Sequence, residues 1–377
     1  MTGPTGPVKL AIVVPSARRE SGGDVWLDGL LRHLPPLGAR PLVVFDQHGE
    51  LVEAASGYGC WAVAADAGEL AGVLHTNPPD VTVFWSPRAQ TYGSTAHRAA
   101  GAPGRTAWVQ HVMPSDFWLH RDASALPTDL VLCVSSAVAR LQHALYPQSP
   151  TRVLHPGVDL PDALSRETAR TRLGCSTAGQ LIGVVGRVEP WKGQDLAVRM
   201  LAELAVRVPA TQLVLIGQQR SPMWPEFGAE ITALTHELGL ADRVVFAGHI
   251  GDASALLPAL DVLVCASREE GFGLAAVEAM AGGVPVVSTR CGGPEDVVED
   301  GRTGLLVPAE DPSGLARAVE RVLADDRFAA DLVISARDAW RAGFTARRSA
   351  ERFLGIVTDL TAAGSPEKGH KLPSPPP

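Results

Sequence analysis

Lysine is nearly missing from this chain: of 33 Lys and Arg residues, only Lys9, Lys192, Lys368 and Lys371 carry an ammonium. With abundant Ala, Gly and Pro, this bias is that of a GC-rich genome. Lys192 is the only lysine between Leu10 and Glu367. A compact ammonium on a flexible stem serves where a planar guanidinium would not fit, and chance retention is the plainer alternative. Cysteine is also scarce. Cys60, Cys133, Cys175, Cys265 and Cys291 are scattered, odd in number and without CxxC or Cys/His spacing, so nothing points to zinc. A reducing cytoplasm is the expected compartment. No apolar run approaches a membrane span. Residues 1–7 lack a charged region followed by an apolar stretch, so no secretory signal is expected. Positive charge is not in excess. A net charge of −8 argues against a nucleic-acid partner. The first 165 residues hold 11 Lys/Arg against 14 Asp/Glu, which argues against a basic membrane-binding face. There is no GxGxxG fingerprint, so a nicotinamide site is not supported.

What is present begins with length. A chain of 377 residues, 46% hydrophobic and 20% charged, is ordinary for a globular protein and long for one core, so two domains are expected. Short apolar runs alternate with helical patterns, the mark of parallel α/β structure. In the first half, strands are expected at Lys9–Pro15, Arg40–Phe45, Val81–Trp85, Thr106–Gln110, Leu130–Val134 and Arg152–Leu154. A helix is expected over Val25–His33, and another is capped by Ser135 and Ser136. His155-Pro-Gly-Val-Asp159 is turn-rich and reads as the domain linker. The alternation then restarts, with strands at Leu181–Val185, Gln212–Ile216, Val244–Phe246, Val262–Cys265 and Pro285–Ser288. The expected division is 1–160 and 161–344, with a helix over about 345–362 completing the first domain and a disordered tail over 364–377. Two doubly wound sheets of this kind face a cleft lined by loops at the C-terminal ends of their strands.

Those strand ends carry the candidate chemistry. Gly186-Arg187-Val188-Glu189-Pro190-Trp191-Lys192-Gly193 follows a strand and opens a helix, where cations and helix N–H groups converge on an anion. Fixed cations there would stabilise the charge developing on a diphosphate leaving group. Solvated surface cations are the alternative. Glu269-Glu270-Gly271-Phe272-Gly273-Leu274 leads into an apolar helix bearing Glu278. Glu270 and Glu278 would lie roughly 10 Å apart at about 1.5 Å per residue. That is too far for the paired carboxylates of a retaining glycosidase, which need about 5 Å. It suits two separate groups of an elongated ligand, with Glu278 placed for the two hydroxyls of a ribose. Val277, Ala279, Met280 and Ala281 make Glu278 an unusual surface residue. Gly22 and Gly23, and Gly292 and Gly293, allow close backbone approach to a phosphate, although such pairs are often simple turns. His111, after its strand, can hydrogen-bond a sugar hydroxyl or the scissile phosphate oxygen, or be satisfied by packing. His155 and His249 are similarly placed. Trp118, Trp191 and Trp224 are expected to pack rather than to serve as sugar platforms.

From Lys9 to about Leu360 the sequence resembles the family 4 glycosyltransferases, which have the GT-B architecture of two Rossmann-like domains. Glu270 to Glu278 matches the family's E-x7-E motif, including Gly271, Phe272, Gly273 and the closing Glu-Ala-Met. Gly186-Arg187 with Lys192-Gly193 matches its diphosphate loop. Leu154 to Asp159 is similar to its interdomain segment, with His155 where Pro is more usual. Asp129 to Ala139, and Gly292, Gly293 and Asp300 to Val307, match flanking segments.

The resemblance implies transfer of a hexosyl unit from a nucleotide sugar, a UDP-sugar first and a GDP-sugar second, with retention of configuration. It implies that Arg187 and Lys192 hold the diphosphate, that Glu270 contacts the donor sugar and Glu278 the ribose, and that Gly271 to Leu274 line the donor. It also places Gly22 and Gly23 at the phosphate and His111 near the reacting centre. It implies no dedicated general base, no cofactor and no metal; no DxD motif stands where a metal-bound diphosphate would need one. Asp24 departs from the usual Gly-Gly-x-Glu helix opening, which falls on the acceptor side. A small soluble acceptor, such as an antibiotic aglycone or an aminocyclitol, is the expectation. A catalytically silent nucleotide-sugar-binding protein and a UDP-sugar epimerase are the alternatives.

Overall fold

The fold is that of a computed structural model, which describes residues 8–219 and 223–362. The expected tail, 364–377, lies outside the described residues. The first half forms a seven-stranded sheet in the order β3-β2-β1-β4-β5-β6-β7. Its strands are β1 Leu10–Val14, β2 Leu42–Phe45, β3 Trp61–Ala64, β4 Val81–Phe84, β5 Arg105–Gln110, β6 Leu130–Cys133 and β7 Thr151–Val153. The second half forms a six-stranded sheet in the order β10-β9-β8-β11-β12-β13. Its strands are β8 Gln180–Val185, β9 Thr211–Ile216, β10 Val244–Gly248, β11 Val262–Cys265, β12 Val286–Arg290 and β13 Leu305–Pro308. Every pairing is parallel. Central strands such as Leu10–Val14 are buried throughout, because helices cover both faces and leave no solvent side to alternate toward.

Strand order reverses between β1 and β4 in one sheet and between β8 and β11 in the other. Loops that leave neighbouring strands on opposite faces diverge at such points and open a crevice beyond the strand C-termini. Leu10 pairs with Val81 and Val262 with Ile182, so the loops after these strands start level with one another.

Two strands fall outside the sequence-based expectation. β3 is an edge strand whose Trp61 is exposed and whose other residues are half-buried, so it lacks the apolar signature of its neighbours. β13 is only four residues long and ends on Pro308, which an edge position tolerates. The last helix, Ala346–Ala362, packs against the first helix, Gly22–His33, and the Trp26 indole N–H donates to Ser349 Oγ at 2.9 Å. No described helix is long and apolar enough to cross a membrane.

One residue fixes the entry into the second domain's first loop. Gly193 caps the helix Gln194–Leu204 with φ +67°, and an added Cβ would lie 2.0 Å from the Ala266 carbonyl oxygen. Left-handed backbone costs a substituted residue about 1–2 kcal/mol, and overpacking adds about 1–3 kcal/mol. Gly193→Ala should therefore lower unfolding stability by about 2–5 kcal/mol, read from the urea midpoint at unchanged m-value.

Candidate functional site

The site assembles at the facing C-terminal edges of the two sheets. From the second domain, β8 delivers Gly186 and Arg187, and the turn Pro190–Lys192 brings Lys192 back over the strand end. An added Cβ on Gly186 would meet the Lys192 side chain at 3.5 Å, so the lysine stem lies across this glycine. Arg268, after β11, braces the loop. Its guanidinium donates to both Asp195 oxygens and to the Pro190 carbonyl, and its backbone N–H donates to the Trp191 carbonyl. Such a planar fork spans several acceptors at once.

Lys192 Nζ donates to Glu270 Oε2 at 2.5 Å, and Ser267 Oγ lies 3.4 Å from the same oxygen. Burial works against the lysine's charge, but Glu270 outweighs it and holds the ammonium above its ordinary pKa. Glu270 is pinned through its backbone, which donates to the Cys291 carbonyl and accepts from Gly293 N–H. Gly271 and Phe272 are buried; Gly273, at φ +100°, turns the chain into the helix Leu274–Gly282. Glu278 sits on that helix among buried Val277, Ala279 and Met280. It makes no hydrogen bond or ion pair with any described residue, and burial pushes its carboxyl up to about 7. Arg187 is exposed and pairs with Glu189 at 3.0 Å. Burial pushes the Cys265 and Cys291 thiols up to about 12, so neither is a thiolate at neutral pH.

From the first domain, Ser21 caps the helix Gly22–His33 in a capping box with Asp24. Asp24 departs from the family pattern and is spent on this cap, accepting from the backbone of Glu20 and Ser21. Trp85, after β4, donates its indole N–H to the Gly23 carbonyl. His111, after β5, donates from Nε2 to the Trp85 carbonyl at 2.7 Å. A carbonyl only accepts, so Nε2 carries the proton. Burial pushes the imidazole down to about 4, so it is neutral and Nδ1 presents a lone pair. Gly23 faces that atom: an added Cβ would lie 3.4 Å from Nδ1.

The two halves touch. A Cβ on Gly22 would lie 2.8 Å from Leu274 Cδ1, and one on Gly271 would lie 2.4 Å from the His111 carbonyl oxygen. Gly22, Gly23, His111, Lys192, Glu270, Gly271 and Leu274 are thus brought together, with Arg187 and Glu278 on the flanking loop and helix. His249 is exposed at the end of β10 and makes no contact with the others. Trp118 and Trp224 are 55% and 42% exposed, and Trp118 lies against the Phe117 ring at 5.6 Å. Trp191 meets Trp224 edge-on at 6.1 Å. Sequence reasoning missed Arg268, which bonds Asp195 and the Pro190 carbonyl, Trp85, which bonds the Gly23 carbonyl, and Asp296, which pairs with His155 at 3.0 Å. Among the described residues, no cluster of three or more His, Cys, Asp or Glu could hold a metal ion.

Comparison with known proteins agrees with this architecture. Residues 179–325 match the family model described as "Glycosyl transferases group 1". A D-inositol 3-phosphate glycosyltransferase of Stackebrandtia nassauensis is 33% identical over 250 residues, 62% of this chain and 54% of that protein. A GDP-mannose-dependent alpha-(1-6)-phosphatidylinositol monomannoside mannosyltransferase of Mycolicibacterium smegmatis is 34% identical over 247 residues, 60% of this chain and 62% of that protein. The chain spans about half the length of most of the curated relatives it matches. Among solved structures, Anabaena HepE in complex with UDP-glucose superposes with a TM-score of 0.81 at 21% identity, covering 93% of this chain and 100% of that one. Sucrose-phosphate synthase from Thermosynechococcus elongatus gives 0.77 at 21% identity, covering 94% and 100%. With the group 1 glycosyltransferase model on its second domain and the same fold along nearly its whole length, the chain is similar to the glycosyltransferases of that group and has the two-domain GT-B architecture.

Proposed function

We propose that this protein is a retaining glycosyltransferase that moves a hexosyl unit from a nucleotide sugar to a hydroxyl of a small acceptor. A UDP-sugar is the first choice of donor and a GDP-sugar the second. The observation that carries it is the Lys192–Glu270 pair, set where the loop after β8 meets the loop after β11 and faced by neutral His111 across Gly271. An arriving diphosphate competes for Lys192 and releases Glu270, whose freed oxygens accept from the sugar's hydroxyls. Arg187, on an exposed stem, adds a second cation. His111 Nδ1 accepts a hydrogen bond from a donor-sugar hydroxyl. Glu278 accepts from the ribose hydroxyls.

In the reaction the bond from the anomeric carbon to the phosphate oxygen breaks, and the bond to the acceptor oxygen forms on the same face. The acceptor's proton passes to the departing phosphate oxygen. Lys192 and Arg187 stabilise the charge developing on that diphosphate, the kind of fixed electrostatic contribution that carries most of such catalysis. An imidazole with a pKa of about 4 suits a hydrogen-bond acceptor rather than a base at neutral pH.

The names of the relatives support a hydroxylated ring as acceptor, since both act on inositol-containing molecules. They divide on the donor: HepE is named with UDP-glucose, the Mycolicibacterium protein with GDP-mannose. Thermal unfolding against UDP-, GDP-, ADP- and dTDP-sugars tests the assignment, because a ligand of the native state raises Tm by mass action. A rise with one nucleotide names the donor; no rise with any overturns the donor-site assignment. A rise without turnover would favour a silent binding protein, and donor conversion without acceptor an epimerase.

Two variants extend the test. Lys192→Ala should reduce turnover by about 10²–10³-fold, the scale for losing one preorganised charge donor, with an unchanged far-UV spectrum. Wild-type turnover would remove Lys192 from the diphosphate. Glu278 gives a signed pH prediction. Its folded pKa of about 7 lies above the ordinary value of 4.5, so the native state binds the extra proton and loses stability as pH rises from 4.5 to 7. Glu278→Gln should therefore stabilise the ligand-free protein at pH 8, by about 3 kcal/mol at most, and leave it unchanged near pH 4. The same variant should bind nucleotide more weakly, because ribose hydroxyls favour the ionised carboxylate. Denaturant midpoints at the two pH values and nucleotide titration measure both effects.

A further inference from the structure

The linker histidine is the place where the sequence departs from the family's usual Pro, and the structure gives it contacts that a Pro would lack. We propose that His155 is a positioning residue, holding the Glu270–Gly273 turn of the second domain in register with His111 of the first. The proposal rests on the donor-site assignment made above.

His155 follows β7, whose exit is fixed by the Leu154 N–H donating to the Cys133 carbonyl. The imidazole donates from Nε2 to Asp296 Oδ2 at 3.0 Å. The same oxygen accepts the Ser136 backbone N–H at 2.6 Å, at the start of the helix Ser136–Leu145. Burial opposes the Asp296 charge, but the bonds from His155 and Ser136 prevail and hold the carboxyl below its ordinary pKa. One carboxylate oxygen therefore joins a first-domain helix, the linker and the second domain. Asp296 belongs to the turn that follows Gly293, and the Gly293 N–H donates to the Glu270 carbonyl at 2.8 Å. The imidazole also lies offset-parallel to the Phe272 ring, with centroids 5.7 Å apart and planes at 22°. Phe344 closes the other edge, 5.8 Å from His155 and 6.0 Å from Phe272.

The backbone of the same residue reaches the opposite wall. The His155 carbonyl accepts from Ser349 Oγ at 2.9 Å, and Ser349 Oγ accepts from the Trp26 indole N–H at 2.9 Å. The Trp26 ring meets His111 edge-on, with centroids 5.6 Å apart. His155 thus contacts, through its ring, the turn that carries Glu270 and, through its carbonyl, Ser349, which leads by way of Trp26 to His111. It touches neither diphosphate loop nor Glu278. A ligand bound by the second domain alone should not sense its loss, whereas chemistry that needs both walls should, since small misplacements of reacting groups cost large factors in rate.

The test uses the full chain and the variants His155→Ala and His155→Gln. The probes are UDP and GDP for binding, and nucleotide release from UDP-glucose and GDP-mannose for turnover. Rates are expressed per folded molecule, with the folded fraction taken from circular dichroism. Small-angle X-ray scattering of the ligand-free protein reads the arrangement of the domains. In His155→Ala, nucleotide affinity should stay within about twofold of wild type and kcat should fall about tenfold, equivalent to about 1.4 kcal/mol of barrier. The radius of gyration should increase. His155→Gln, whose amide can still donate to Asp296, should recover most of the rate and the wild-type scattering. A merely structural role would lower Tm and leave kcat per folded molecule untouched. Wild-type scattering with wild-type kcat in His155→Ala overturns the proposal, and so does nucleotide affinity falling as far as kcat. If the wild-type protein neither binds nor turns over either nucleotide sugar, the donor-site assignment fails instead, and the scattering comparison still decides whether His155 sets the domain arrangement.

Discussion

The site depends on one ion pair between two loops that Arg268 also fastens together. Lys192 and Glu270 are 78 positions apart, and each is partly withdrawn from water. Withdrawing two charges costs several kcal/mol apiece unless each finds the other in good geometry, and an unpaired member would be more costly still. The pair, with Arg268, therefore holds the loop after β8 and the turn after β11 together. On the function proposed, a diphosphate would take over the ammonium and free the carboxylate for sugar hydroxyls. Charge is present before the ligand arrives, so little reorganisation is left for the reaction itself.

Glycine permits this closeness. The glycines singled out in the sequence are used in two ways. Gly23 leaves the Nδ1 side of His111 open, as a ligand site requires. Gly22, Gly271 and Gly293 instead let protein approach protein: their missing side chains would collide with Leu274, with the His111 carbonyl and with the Phe272 backbone. The cleft is narrow at Gly271, whose backbone lies against that of His111 across it, and at Gly22, which faces the Leu274 side chain. Substitution there would displace His111 or the Glu270 turn rather than merely crowd the ligand.

Much of the fold was legible because it follows from local pattern. Apolar runs of strand length, each followed by a helical pattern, placed eleven strands close to where they lie, since strands buried on both faces have a distinctive composition. β3 and β13 escaped because edge strands need not be apolar on both faces or long. Within the site, residue types and spacing picked out Lys192, Glu270, Glu278 and His111. Their partners were invisible for a simple reason: Trp26 and Ser349 are 323 positions apart, and Ser136 and Asp296 are 160 apart. Nothing local distinguishes the serine that bridges two domains from one that caps a helix. Asp24 shows the converse. A carboxylate at a suggestive place near the acceptor side is occupied by its own helix N-terminus.

Glu278 stands apart from this pattern of satisfied groups. Asp24 has its cap, Glu270 its lysine, Asp296 its histidine and backbone amide, and Asp195 its bidentate arginine. Glu278 has only apolar neighbours on its helix, and its desolvation is uncompensated. A glutamine or methionine at this position would give a more stable ligand-free protein, since a half-buried carboxylate without a partner costs stability where it is ionised. Proteins carry such costs mainly where a ligand removes them. Two adjacent hydroxyls donating to one carboxylate would do so. The cost would then reappear as affinity for that ligand.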